Sequence, residues 1–280
     1  MRGPEVRVAI AAAIMSSVVA MPLAAQRERD ARDWVSRCQD WNGGDDSERY
    51  CEVRQSAMKP TGKAIRADAG ENGGVEVQGW DRDSIAIEAR IQTNARTLDD
   101  AKKIASQVRI VSTDGSIRAE GPMTGHREWW SVSFVVSVPR KSSLTLEAHN
   151  GPVAATRVNG TLDLTTVNGP VVLDEVAGTV RGRTTNGPVV VDLAGSKWDG
   201  TGLDAETTNG PVTLSVPDGY NAHLETGTVN GPFEIGFPIT VEGKLGRHIS
   251  TDLGKGGPTI RAVTTNGPVH VKRPSSSSGT

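Results

Sequence analysis

Asp174 and Asp192 stand eighteen residues apart in a chain of 280. Two carboxylates aligned on one face can cleave a glycosidic bond or hold a calcium ion. The same spacing also suits a solvent-facing strand position, where a charge keeps the surface soluble. Thr156, eighteen residues before Asp174, and Ser215, beyond an insertion after Asp192, continue that column, so acid does not accumulate along it. A sugar-cleaving site would need Arg181 and Arg183 to converge with the two aspartates on one groove. His126, His149, His223, His248 and His270 show no ligand spacing and no neighbouring cysteine or acid pair. No Gly-x-Ser-x-Gly elbow occurs, and Gly254-Lys255-Gly256-Gly257 lacks the frame of a phosphate loop. No catalytic, cofactor-binding or metal-binding residue is therefore expected. Trp129-Trp130 is the best candidate interaction surface, because strand alternation exposes one ring and aromatics bind sugars and proteins well. The plainer use of that pair is to cap the first coil of the repeat described below.

The elements that hold these residues begin with an export signal. Arg2 and Arg7 precede an apolar stretch from Val8 to Ala25, and a polar run starts at Gln26. That order predicts a secretory signal over 1–25, cut after Ala25, with an uncleaved anchor as the alternative. No other run is long and apolar enough to span a membrane. With 31 basic and 33 acidic residues the chain lacks the basic excess of an electrostatic nucleic-acid binder. Its 32 glycines, 15 prolines and few aromatics suit a turn-rich β protein rather than a large helical enzyme. Residues 26–59 carry Cys38 and Cys51, which an oxidising compartment would pair. A metal site is the rival, but no histidine lies in that segment.

Residues 60–140 alternate apolar and polar positions in short runs, which predicts strands. One helix is expected at about 97–108. Thr97 and Asp100 form a capping pattern, and Leu98, Ala101, Ala105 and Val108 share a face.

Residues 141–273 repeat. Asn-Gly-Pro recurs at Asn150, Asn168, Asn186, Asn209, Asn230 and Asn266, and Asn159-Gly160 falls midway between the first two copies. Glycines at Gly151, Gly160, Gly169, Gly178 and Gly187 keep a period of nine. Gly210, Gly231, Gly243 and Gly267 extend the series with insertions, the first around Lys197-Trp198-Asp199-Gly200, expected to protrude as loops. After each glycine the second and fourth residues are mostly apolar, as in Val153 and Ala155 or Leu162 and Leu164. This pattern predicts an all-β, single-stranded parallel β-helix of 18-residue coils, each of two nine-residue half-turns. Asn-Gly is expected to supply positive-φ corners. The asparagines could form a ladder of side-chain amides between coils, and the threonines before them (Thr185, Thr208, Thr265) a flat but interrupted array. Residues 274–280 read as a disordered serine-rich tail.

The coils TTVNGPVVL, RTTNGPVVV, ETTNGPVTL and VTTNGPVHV, with the helix LDDAKKIASQV and the strand VRIV after it, resemble a bacterial family of candidate-adhesin repeats. The resemblance covers about residues 60–272. It implies an exported β-solenoid at the cell envelope and supplies no catalytic residues. The reading is a non-enzymatic surface for adhesion or envelope contact, with an unknown glycan, protein or envelope partner, in the periplasm, at the cell surface or secreted. The alternatives are a carbohydrate-active β-helix enzyme and a periplasmic envelope-stress scaffold or sensor.

Overall fold

A computed structural model describes residues 23–40, 47–238 and 247–274. Residues 1–22 of the expected signal, Gly243 and the tail after Pro274 lie outside the described residues. The described elements are helix α1 (Leu23–Gln39), strands β1 (Glu48–Met58), β2 (Ile65–Asp68), β3 (Val75–Trp80) and β4 (Ile85–Ala95), and helix α2 (Leu98–Gln107). Then come β5 (Arg109–Thr113), β6 (Ser116–Glu120), β7 (Trp129–Pro139), β8 (Leu144–Asn150), β9 (Val153–Thr156), β10 (Asn159–Asn168) and β11 (Val171–Asp174). They continue with β12 (Ala177–Asn186), β13 (Val189–Asp192), β14 (Gly202–Asn209), β15 (Val212–Ser215) and β16 (Ala222–Asn230). The last are β17 (Phe233–Ile235), β18 (His248–Leu253), β19 (Thr259–Asn266) and β20 (Val269–Lys272).

The strands form two ten-stranded sheets. The first runs β1-β4-β7-β3-β9-β11-β13-β15-β20-β17, the second β18-β16-β19-β14-β12-β10-β8-β2-β6-β5. From β8 onward each repeat gives a long strand to the second sheet and a short one to the first. Copies pair in parallel at equivalent positions: Asn150, Asn168, Asn186 and Asn209 are aligned neighbours, as are Val153, Val171, Val189 and Val212. The alternating apolar residues of both sheets face inward. Val153, Leu162, Leu164, Val171, Leu173, Val189, Val191, Val212 and Leu214 are all buried in one continuous core. Aliphatic side chains suffice because each repeat covers the inward face of the next.

Three features correct the expected single-stranded parallel helix with one helix. First, the sheets are mixed: β4 lies antiparallel to β1 and β7, β5 to β6, and β18 to β16. Second, spatial order departs from chain order. The repeat β19–β20 sits between β14–β15 and β16–β17. Every corner carries the same Asn-Gly-Pro chemistry, so local pattern cannot rank the copies. The arrangement leaves β16 the last of the parallel strands, and β18 pairs antiparallel onto its free edge to end the sheet. Third, there is a second helix, α1, whose Ala31, Trp34, Val35 and Cys38 recur at helical spacing. It is fastened to the first sheet. Arg27 donates to Ser137 Oγ at 2.7 Å and lies 5.1 Å from the Trp80 ring centroid, and Arg90 lies 5.8 Å from that of Trp34. The Cys38–Cys51 disulfide ties its end to β1.

Helix α2 is capped by Thr97, whose Oγ1 accepts the Asp100 N–H and donates to the Asp100 carboxylate. It buries Ala101, Ile104 and Ala105, while Leu98 is exposed. The insertion at Lys197–Gly200 does not simply protrude. Trp198 is 3% exposed and its Nε1 donates to the Gly178 carbonyl at 3.0 Å.

Candidate functional site

The Asn-Gly-Pro corners form one row along the molecule. Asparagine Nδ2 donates to the neighbouring Oδ1 from Asn150 to Asn72, Asn168 to Asn150, Asn186 to Asn168, Asn209 to Asn186, Asn266 to Asn209 and Asn230 to Asn266. The distances run from 2.8 to 3.2 Å, and the seven amides are exposed. Asn159 and Gly160 are elsewhere: they open β10, and the positive φ nearby belongs to Arg157 (φ 55°).

The glycines beside the row serve close approach rather than the positive φ expected of them. Of Gly151, Gly169, Gly187, Gly210, Gly231 and Gly267, only Gly267 has a positive φ, at 158°. A methyl group built on Gly169 would overlap the Gly151 carbonyl oxygen, and one on Gly187 that of Gly169. The same holds along the whole row.

That crowded carbonyl explains why threonine and proline occur together. In a parallel ladder each of these glycine oxygens faces the proline of the adjoining repeat, which has no N–H to give. A threonine four residues before that proline supplies the missing donor. Thr166 Oγ1 donates to Gly151 O, Thr184 to Gly169, Thr207 to Gly187, Thr264 to Gly210 and Thr228 to Gly267, at 2.8–2.9 Å. All five threonines are buried. Thr185, Thr208 and Thr265 each follow one of these donors directly and are not themselves among them. The five-residue spacing Thr-x-Asn-Gly-Pro was the available signal.

At the head of the row a groove of about 610 Å³ opens between the first two corners and strands β4 and β7. Trp129 walls it, with Gln92, Ser131 and Ser133 beside it and Asn72 and Asn150 opposite. Register explains the grouping: Trp129 faces Asn94 and Ser131 faces Gln92 across β7 and β4. Ser133 Oγ accepts the Gly74 N–H at 3.1 Å, which fixes the corner against the strand. The Arg49 guanidinium lies 5.9 Å from the Trp129 ring centroid. Trp130 points the other way. Its Nε1 donates to Pro122 O at 2.9 Å and its ring packs against the cluster of Ala95, Ala101 and Ile104 beneath α2.

The groups that could do acid–base chemistry are dispersed. Asp174 and Asp192 are neighbours in the first sheet, whereas Arg181 and Arg183 belong to the second. Burial, then Glu175 and Asp192, push the Asp174 carboxyl above its ordinary range. Arg183 pairs with Asp204, and Arg261 with Asp204 and Glu206, in a charge network on the outer face of the second sheet. Strand pairing brings acids to two histidines that show no acid pair beside them in the sequence: His270 Nδ1 lies 3.3 Å from Glu234, and the fuller network belongs to His223. Its Nδ1 lies 2.6 Å from Asp252 and its Nε2 3.0 Å from Ser250. The order of contacts matches nucleophile, base and orienting carboxylate. Ser250 and Asp252 are exposed, so nothing excludes water, and the network fastens β18 to β16. Among the described residues no group of three or more His, Cys, Asp or Glu could hold a metal ion. No helix among them is long and apolar enough to cross a membrane.

No protein-family model matches the chain, and no curated protein matches it. Several solved structures are similar to it at low identity. A candidate cell adhesion protein from Clostridium sporogenes shares 12% identity over 80% of this chain and 99% of that one, with a TM-score of 0.45. A candidate adhesin from Bacteroides fragilis shares 11% over 79% and 97%, with a TM-score of 0.34. A candidate lipid binding protein from Parabacteroides distasonis shares 8% over 79% and 96%, with a TM-score of 0.32. Likenesses this distant carry no function.

Proposed function

We propose that the chain is an exported, non-enzymatic β-solenoid that presents a repetitive surface for adhesion or other contact at the cell envelope. In this reading residues 1–25 direct export, 26–59 clasp one end, 60–140 lead in, 141–273 form the array and 274–280 trail from it. The observation that carries the reading is the row of seven hydrogen-bonded asparagines, an exposed polar lattice with a repeat of about 4.8 Å. A rigid, regular face of this kind suits repeated weak contacts. Enzymatic action on sugars would need convergent carboxylates and bases, and Asp174 and Asp192 lie on a different sheet from Arg181 and Arg183. The disulfide favours an oxidising compartment.

Two measurements test it together. Fractionation of cells expressing the full chain should place it outside the cytoplasm with Cys38 and Cys51 oxidised, and the mature protein should retain cells or envelope material on a coated surface. Cytoplasmic retention with reduced thiols, or failure to hold cells or envelope components, defeats the proposal.

A further inference from the structure

We infer that the Trp129 groove is a binding site for a neutral oligosaccharide, an inference that rests on the adhesion reading above and gives it a ligand class. None of the side chains lining the groove is ionisable. The lining itself therefore offers no charge complementarity to an anionic polymer, a nucleotide or a basic peptide, and the guanidinium beside it, that of Arg49, lies over the Trp129 ring. What the lining offers instead is one large aromatic face, three carboxamides and two hydroxyls: Trp129, Asn72, Asn150, Gln92, Ser131 and Ser133. A hexose is their chemical complement. Its ring carries an apolar C–H face that packs on an indole. Its rim carries hydroxyls that both donate and accept, and a carboxamide can serve both at once.

The volume of about 610 Å³ lies within the ordinary range for small-ligand clefts. The site is also held rigid, which keeps the ordering cost of binding low. Ser133 is tied to Gly74, Asn72 and Asn150 share the first bond of the row, and the Arg49 guanidinium lies over one face of the indole, leaving the other to a ligand.

The test uses the mature chain, titrated calorimetrically with neutral glucan, mannan, galactan and N-acetylglucosamine oligomers, and with a sulfated oligosaccharide as the charged control. At least one neutral oligomer should bind with a Kd between about 10 μM and 1 mM, with affinity little changed by added salt. Trp129→Ala should weaken it at least about tenfold while the thermal transition stays in place, and Thr185→Ala, elsewhere on the surface, should leave it unchanged. Absence of neutral binding up to about 5 mM, binding of the sulfated oligomer alone, or equal binding by the Trp129→Ala protein would each overturn the inference. Cell attachment separates the two readings. If the wild type attaches and Trp129→Ala attaches equally well, the sugar site falls and adhesion stands. If the wild type attaches to nothing, adhesion falls, whatever the groove binds.

Discussion

Thr184 offers the cleanest perturbation of the corner chemistry. It is 5% exposed and donates to the Gly169 carbonyl at 2.9 Å. Valine keeps its shape and removes the donor. The only backbone nitrogen in the ladder position to replace it is that of Pro188, which has no proton. Stranding a buried acceptor costs about 1–3 kcal/mol, so Thr184→Val should destabilise by about 2 kcal/mol. For a chain of this size that lowers Tm by about 4–8 °C. Pro188→Ala restores an N–H opposite Gly169 and should cost only about 0.4–1 kcal/mol through a more flexible unfolded chain. If the missing proline proton is the reason for the threonine, the double variant should be less destabilised than the sum of the singles, by about 1 kcal/mol. Thermal and urea unfolding of the four proteins measures this. A neutral Thr184→Val, or strict additivity of the pair, would refute the reasoning.

Four further expectations follow from neighbouring features. Gly169→Ala drives a methyl into the Gly151 carbonyl and should cost about 3 kcal/mol or more, visible as loss of soluble folded protein or a steep fall in the urea midpoint. The Asn150 corner has Ala148 where later repeats place the donor threonine, so Ala148→Thr should raise stability by about 1 kcal/mol in the same assay. Asp174 holds its proton to higher pH when folded than when unfolded, chiefly through burial. Its ionisation therefore weakens the fold as pH rises through the ordinary carboxylate range, and the penalty is complete above the folded pKa. Asp174→Asn should thus raise Tm at pH 7 and lose that advantage as pH falls below about 4. Cys38→Ser together with Cys51→Ser should cost about 2–3 kcal/mol and make α1 the first segment cut by protease.

Much of the frame was legible because it is written in a period. A beat of nine in the glycines and alternation after each one locate the inward residues from Val153 to Leu214, all of which are buried. The helix after Thr97 was visible in its cap. The glycines were read through a local rule, positive φ, when the constraint is contact with the next repeat, which sequence neighbours cannot show. Helix α1 was hidden by its many charges, although Ala31, Trp34, Val35 and Cys38 held the spacing. The order of the last repeats had no local signature, since ETTNGPVTL and VTTNGPVHV are chemically alike. The groove was half legible. Alternation separates Trp129 from Trp130, but the amides opposite come from corners 57 positions upstream and 21 positions downstream, assembled only by the sheet.

Pairwise cysteine cross-linking along the asparagine row tests the architecture most directly. Adjacent parallel strands lie about 4.8 Å apart, within disulfide reach, and strands two apart lie beyond the limit of about 7 Å. Asn209→Cys with Asn266→Cys, and Asn266→Cys with Asn230→Cys, should bridge under mild oxidation, whereas Asn209→Cys with Asn230→Cys should not. A bridge between 209 and 230, with none between 209 and 266, would contradict the interleaved stack and the row built on it.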